Sequence, residues 1–207
     1  MTQATARWDG RGHHDVLVDR LLGSRLGRRA WDVAIILAGV LLLSLAAQVR
    51  IPLGFTPVPL TGQTFAVLLV GAASGPFRGS AAVLLYLAIG LAGAPIFTDA
   101  GSGVGHVLGP TGGYLIGFVL AAAVAGGMAR HRLDRSIGSA LVSMLLASVV
   151  IYACGVIGLM AVTGASLLRA LELGVAPFLM ADALKAVAAA VVLPAAWRLV
   201  PAADEDD

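Results

Sequence analysis

The sequence predicts an all-α integral membrane protein with six transmembrane helices and both termini in the cytoplasm. The first observation is composition: 58% of the 207 residues are hydrophobic and 13% are charged, with a mean hydropathy of +0.90. A soluble domain carries about 25% charged residues, so this chain lacks the polar surface that a water-facing protein needs. The other two observations are the spacing of six apolar runs and the one-sided distribution of the arginines.

Six apolar runs each approach the roughly 20 residues that a helix needs to cross a bilayer. The predicted spans are Val33 to Val49, Leu60 to Phe77, Gly79 to Ile96, Gly112 to Ala129, Gly138 to Val162 and Val175 to Leu199. The second and third runs are short, and Gly75-Pro76 near their junction predicts a tight turn. The first run is too long for the core of a signal peptide, and no small-residue cleavage site follows it, so it is interpreted as a span.

The segments outside the membrane domain, which is predicted to cover residues 31–200, are charged. Residues 1–30 form a basic cytoplasmic extension, in which Val16 to Leu26 is predicted to be a short amphipathic helix on the membrane surface. Residues 201–207 form an acidic cytoplasmic tail.

The arginines set the orientation of the predicted helices. With six spans, eleven arginines fall on one side of the membrane, and only Arg50 and Arg169 fall on the other. Loops rich in Lys and Arg stay in the cytoplasm, so both termini are predicted to lie there.

The two loops predicted on the outer side are Arg50 to Thr61 and Gly93 to Thr111. They are rich in proline or glycine, but they keep apolar residues such as Phe55 and Phe97. Loops of this kind can fold back over a helix bundle as a lid. Simple exposed connectors are the alternative.

The last apolar run contains two charged residues well inside it, Asp182 and Lys185, and Lys185 is the only lysine of the chain. Residues three apart share a face of a helix, and each charge costs about 2.5–3.5 kcal/mol at the centre of a bilayer. Charges in membrane spans are commonly functional, so the pair is predicted to bind a ligand that offers polar hydrogens and an anionic or carbonyl oxygen. An ion pair that holds two helices together is the alternative.

Other polar residues in or beside the spans are candidates for the walls of a pocket: Gln63, Tyr86, Tyr114 and Tyr152. Tyr86 is in the middle of a run, so it faces either a neighbouring helix or a cavity. Gln63 follows the proline-rich loop and either contacts a ligand or caps a helix. Packing is the alternative for each tyrosine. No histidine has metal-ligand spacing to another, and His106 in the outer glycine-rich loop is the one of interest.

The sequence lacks the motifs of several functional classes. Its only lysine follows Leu184, so there is no Gly-Lys-Ser/Thr phosphate-binding loop. A nucleophile–base pair is absent, and the single Cys154 excludes an intrachain disulfide and a zinc cluster. A pI near 9.1 is ordinary for a membrane protein with basic loops and does not indicate nucleic acid. The chain is predicted to be neither an enzyme nor a metal or cofactor protein, and any uphill transport needs energy from another protein.

Small residues four apart mark faces on which another helix can pack closely. Ala34 and Ala38 form such a pair in the first span, near the cytoplasmic side, and Gly113 and Gly117 form one in the fourth. Such spacing is common by chance, so by itself it does not identify a docking face.

Four ordered segments of the chain resemble the BioY family, the biotin-specific substrate-binding (S) components of energy-coupling factor (ECF) transporters. The matching segments are Val58 to Thr64, Gly90 to Phe97, Gly109 to Tyr114 and Pro177 to Lys185. The resemblance covers residues from about 32 to 199. Ala94 departs from it, because the family more often has leucine before the proline.

The resemblance implies a six-helix protein of the bacterial plasma membrane that binds biotin from the outside. Asp182 would accept from the ureido N–H groups, and Lys185 would bind either the ureido oxygen or the valerate carboxylate. Ala34 and Ala38 would dock the ECF transmembrane coupling protein, and two ABC-type ATPase subunits would drive the cycle. The implied pocket-wall residues are Gln63, Tyr86, Asp99, Tyr114 and Tyr152.

Three alternatives remain open at the level of the sequence. The first is an S component for a different vitamin, and the second is a solitary biotin facilitator that works without ATPase subunits. The third is an intramembrane enzyme that uses Asp182 as an acid or base, which would need a second catalytic group on a facing helix.

Overall fold

A computed structural model describes residues 16–22 and 27–200, which form a helical bundle with short helices at both of its ends. The helices are α1 (Leu17–Leu22), α2 (Arg28–Gln48), α3 (Gln63–Leu91), α4 (Gly103–Val107), α5 (Gly112–Arg130), α6 (Ile137–Thr163), α7 (Leu167–Gly174) and α8 (Leu179–Trp197). Two short antiparallel strands, β1 (Arg50–Ile51) and β2 (Leu60–Thr61), close the first outer loop. Most of the predicted basic extension and the acidic tail lie outside the described residues.

Helix α3 consists of two antiparallel arms. Gly75 interrupts the helix with φ 82° and ψ 169°, and Pro76 follows it. A straight helix would separate residues 23 positions apart by about 34 Å, yet Gln63 Nε2 donates a hydrogen bond to the Tyr86 hydroxyl at 2.9 Å. The chain therefore reverses at the predicted Gly75-Pro76 turn. The arms, residues 63–74 and 76–91, correspond to the predicted second and third spans.

Five helices of the described part of the chain are long and apolar enough to cross a membrane: α2, α3, α5, α6 and α8. Helix α3 counts once among them because its two arms join at Gly75. The protein is a mostly helical, multi-pass membrane protein.

The outer face of α2 shows how the bundle meets lipid. Val33, Leu37, Leu41 and Leu45 are spaced four residues apart, and each exposes about half of its surface or more. Leu43, on the opposite face, is fully buried. Because the exposed stripe is apolar along its whole length, it is suited to hydrocarbon rather than to water.

Glycines bring α5 into backbone contact with its two neighbours. A Cβ atom on Gly126 would lie 2.6 Å from the Gly71 carbonyl oxygen of α3, and one on Gly113 would lie 2.9 Å from Gly158 Cα of α6. A Cβ atom on Gly117 would lie 3.0 Å from Ile151 Cα. The small residues predicted as a packing face in the fourth span therefore do pack on a neighbouring helix.

One end of the bundle, called the basic end, carries Arg78, Arg130 and Arg135. Arg78 donates hydrogen bonds to Asp19 of α1 and Asp32 of α2, both at 2.8 Å. These ion pairs hold α1 against the turn of α3. The described part of α1 lies within the segment predicted to be a surface helix, of which residues 23–26 lie outside the description.

The opposite end, called the loop end, is covered by both predicted outer loops. In the first loop, the Thr56 hydroxyl donates to the Leu173 carbonyl at 2.7 Å. In the second, Phe97 is fully buried, and Gln48 Nε2 donates to its carbonyl at 3.1 Å. Both loops therefore fold over the bundle as lids and are not simple connectors.

Candidate ligand-binding site

The charged pair of the last apolar run lies in the first two turns of α8, beneath the loop end. Residues 175–178 turn the chain out of α7, and α8 then begins at Leu179. Lys185 Nζ donates a hydrogen bond to Asp182 Oδ1 at 2.7 Å. The side chains expose 20% and 9% of their surface, so the two charges are paired inside the protein.

Strand β2, the first arm of α3 and helix α6 complete the polar network around this pair. Lys185 Nζ also donates to the Thr61 carbonyl at 2.6 Å and to Thr64 Oγ1 at 3.1 Å. The Thr64 hydroxyl donates to Asp182 Oδ1 at 2.9 Å, and the Tyr152 hydroxyl donates to Asp182 Oδ2 at 2.7 Å. Both carboxylate oxygens and the ammonium group thus have partners, which offsets the cost of removing them from water.

A second set of hydrogen bonds, centred on Gln63, supports the network from below. Its Nε2 donates to the Tyr86 hydroxyl at 2.9 Å, and its Oε1 accepts from Thr98 at 3.0 Å. The Tyr86 hydroxyl donates in turn to the Ile96 carbonyl at 3.2 Å. The Gln63 side chain therefore joins the two arms of α3 to the second outer loop, and it makes no helix-capping bond.

These polar groups face a small space, called the inner cavity, of about 50 Å³. Its polar lining includes Gln63, Thr64, Tyr114, Tyr152, Asp182 and Lys185, and its apolar lining includes Val58, Phe118 and Phe178. A space of this size holds a few waters, whereas pockets for small organic ligands measure about 300–1,000 Å³. The inner cavity by itself is therefore too small for a ligand of that size.

A larger space of about 410 Å³, called the vestibule, lies among the residues of the loop end and shares part of the wall of the inner cavity. Arg50 and Asp99 line it and pair at 3.2 Å. The Asp99 side chain is 70% exposed and does not line the inner cavity. The structure thus separates Asp99 from the other predicted wall residues and places it at the rim.

The predicted tyrosines occupy three different positions. Tyr152 contacts Asp182 directly, as described above. Tyr114 lines the inner cavity, and its hydroxyl donates to the Gly174 carbonyl at 2.7 Å. Tyr86 is fully buried beneath Gln63 and does not line the cavity.

Sequence reasoning did not single out several residues that line the site, among them Thr61, Thr64, Thr98 and Phe178. Thr61 and Thr64 flank Gln63 in the family-like segment Val58 to Thr64, and that proximity was the available signal. Thr98 had no comparable signal, because its role depends on how the second outer loop folds.

The alanine pair of the first span lies near the basic end, away from the charged pair. Ala34 and Ala38 line an apolar space of about 520 Å³, called the side groove, between α1, α2, the first arm of α3 and α8. Ala38 is exposed and Ala34 is half-buried. Among the described residues, no cluster of His, Cys, Asp or Glu is arranged to hold a metal ion.

Comparison with known proteins gives a consistent result. The BioY family model matches residues 19–202. A probable biotin transporter BioY of Pyrococcus horikoshii is 38% identical over 167 residues, which cover 79% of this chain and 94% of that protein. The biotin transporter BioY of Thermotoga maritima is 37% identical over 151 residues, covering 73% and 86%.

A solved structure agrees with the sequence comparison. The crystal structure of the S-component for biotin from an ECF-type ABC transporter matches with a TM-score of 0.75 at 25% identity, over 83% of this chain and 93% of that one. The chain belongs to the BioY family.

Proposed function

We propose that this chain is the biotin-binding S component of an ECF-type transporter and captures biotin at the loop end. The observation that carries the proposal is the paired Asp182 and Lys185, which face the inner cavity in a member of a family whose relatives are named as biotin transporters. Burying charges of this kind in a membrane protein costs free energy. The binding of a polar ligand explains why both charges are present.

The geometry of the pair suits the ureido ring of biotin. A cyclic urea presents N–H donors beside a carbonyl oxygen, and Asp182 and Lys185 present an acceptor beside a donor, 2.7 Å apart. We assign Asp182 to the ureido N–H groups and Lys185 to the ureido oxygen. Tyr152 and Thr64 orient the carboxylate, Gln63 and Tyr114 form the wall, and Tyr86 supports Gln63 from behind.

Six membrane crossings follow if each arm of α3 counts as one. The arms are antiparallel, so α2, the two arms, α5, α6 and α8 alternate in direction. The basic end then faces the cytoplasm by the positive-inside rule, and both termini lie on that side of the cell membrane. The vestibule opens on the outer side, from which biotin arrives.

Uptake against a gradient would be energised by an ECF coupling protein and ABC-type ATPase subunits, while this chain binds biotin without catalysing a reaction. The side groove supplies the docking face for the coupling protein. It is apolar, it contains the exposed Ala38, and it lies on the opposite end of the bundle from the biotin site. Small residues there let a partner helix approach closely.

A bulky residue in the side groove is expected to separate uptake from binding. Ala38→Trp should abolish energised biotin uptake in cells that contain the coupling subunits, while the purified variant binds biotin with wild-type affinity. Leu45→Trp, on the lipid-facing stripe of the same helix, is the matched control and should keep uptake. Normal uptake by the Ala38 variant would show that the groove is not the docking face.

Ligand identity is tested by a panel of water-soluble vitamins in a thermal-shift assay. A ligand at 100 times its Kd stabilises the folded state by about 2.7 kcal/mol, so biotin should raise the melting temperature and the other vitamins should not. A shift with another vitamin but not with biotin would favour an S component of different specificity. Biotin uptake in a host that lacks all coupling subunits would indicate a solitary facilitator.

A further inference from the structure

The inner cavity and the vestibule share four lining residues, and these define the passage between them: Pro59, Thr98, His106 and Thr111. A molecule that moves from the vestibule to Asp182 and Lys185 has to pass these side chains. His106 is the largest of the four, and it rotates about two side-chain bonds, whereas Pro59 is a closed ring. The position of the imidazole therefore decides the width of the passage.

One face of the imidazole is supported by a rigid wall. His106 stacks on Phe97 with ring centroids 5.0 Å apart and planes 25° apart. Phe97 is fully buried and meets Tyr86 edge-on at 5.3 Å. A Cβ atom on Gly90 would overlap the Phe97 ring, so the ring packs directly against the Gly90 backbone.

The segment that carries His106 is less constrained than that wall. Helix α4 has five residues, and none of them is buried. A Cβ atom on Gly103 or Gly105 would have no neighbour within 4 Å. Among the described residues, the imidazole is held by its stack on Phe97 and by close packing against Gly101, and by no hydrogen bond or ion pair.

We propose that His106 is the gate of the biotin site: its ring swings away to admit biotin and then packs on the valerate chain of the bound ligand. The proposal rests on the proposed function. With the ureido ring at Asp182 and Lys185, the chain of methylene groups would run toward the vestibule through the passage that joins the two spaces. An aromatic ring stacked on a fixed aromatic wall offers those methylenes an apolar surface.

The charge of His106 agrees with this role. Burial lowers the pKa of the imidazole below its usual value of 6.5. The ring is thus neutral at pH 7, and it places no cation against the apolar chain. Below pH 6.5 its protonation becomes progressively more favourable once the ring swings out into water, which favours the open gate.

The test measures the association and dissociation rates of radiolabelled biotin with the purified full-length protein. His106→Ala opens the passage permanently, so both rates should rise, with dissociation about tenfold faster and affinity weaker. His106→Phe keeps the stack and the width of the ring, so its rates should stay near wild type. Val104→Ala, exposed on the same helix and lining neither space, is the control.

A pH series from 5.5 to 8 provides a second readout. Dissociation from the wild type should accelerate below pH 6.5, and dissociation from His106→Phe should not show this extra acceleration. The other charged groups facing the two spaces are Arg50, Asp99, Asp182 and Lys185. All four are present in both proteins, so the difference between them reports the imidazole.

Wild-type association and dissociation rates for His106→Ala would overturn the proposal that His106 is the gate. Dissociation that is faster than wild type by the same factor in His106→Phe and His106→Ala would also overturn it. If the Ala variant is too unstable to measure, the pH comparison between wild type and His106→Phe decides alone, and identical pH profiles would count against the proposal. Failure of the wild type to bind biotin would instead overturn the proposed function, so the two failures are distinguishable.

Discussion

Lys185→Ala is expected to weaken biotin binding by at least about 100-fold while the protein still inserts into the membrane. The ammonium group donates to Asp182, to the Thr61 carbonyl and to Thr64, and its removal leaves the Asp182 carboxylate without a cation. Truncating one partner of a buried, hydrogen-bonded charge pair at a binding surface costs about 2–5 kcal/mol of binding free energy. Because each 1.4 kcal/mol is a factor of ten in affinity, a 100-fold loss corresponds to about 2.8 kcal/mol, within that range. Equilibrium binding of radiolabelled biotin to the purified variant measures the effect.

The control for this substitution is Leu184→Ala, one residue away on the lipid-facing side of α8, where the leucine is 67% exposed. It should bind biotin as the wild type does. The amount of each variant in isolated membranes separates lost binding from lost insertion. Wild-type affinity in Lys185→Ala would remove the charged pair from the site and leave it as a structural ion pair within α8.

Gly126→Ala is expected to lower the melting temperature of the ligand-free protein by roughly 2–12 °C, since overpacking costs about 1–3 kcal/mol and each kcal/mol shifts the transition by about 2–4 °C. The new methyl group would lie 2.5 Å from the Gly75 carbonyl carbon and 2.6 Å from the Gly71 carbonyl oxygen. These are backbone atoms at the turn between the two arms of α3, so no side chain can rotate to make room. A thermal melt in detergent gives the measurement.

The neighbouring glycine supplies the matched control. A Cβ atom on Gly127 would meet nothing within 4 Å, and alanine favours a helix over glycine by about 1 kcal/mol. Gly127→Ala should therefore melt at or slightly above the wild-type temperature. Equal melting temperatures for the two variants would show that α5 does not pack on the α3 turn at backbone distance.

The long helices could be predicted because each apolar side chain contributes separately to the free energy of transfer from water to hydrocarbon. A long apolar run is therefore enough to identify a span. The predicted first, fourth and fifth spans agree with α2, α5 and α6 to within a few residues at most ends. The predicted last span starts at Val175, whereas α8 starts at Leu179, because residues 175–178 form a turn after α7. The short helices α4 and α7 were not predicted, since local sequence alone stabilises helices of this length poorly.

The site was predictable only in part. Asp182 and Lys185 could be identified because their cost in a membrane is visible in the sequence. Thr61 and Thr64 could not be, because a backbone carbonyl in a short strand and a hydroxyl in the first turn of a helix are common features, and their role depends on a distant partner. Asp99 was expected near the other wall residues but lies at the rim with Arg50, because a charged loop residue has no periodicity that indicates its direction.

The sequence by itself determined that this is a helical membrane protein, where its apolar helices lie and which two charges require explanation. Each of these follows from the transfer of individual residues from water to lipid, which depends on composition and spacing. The tertiary structure alone decided how the Gly75 turn folds the arms of α3 together and which groups satisfy the charged pair. Thr64 and Asp182 are 118 residues apart in the chain, and only the packing of α3 against α8 brings them within hydrogen-bonding distance.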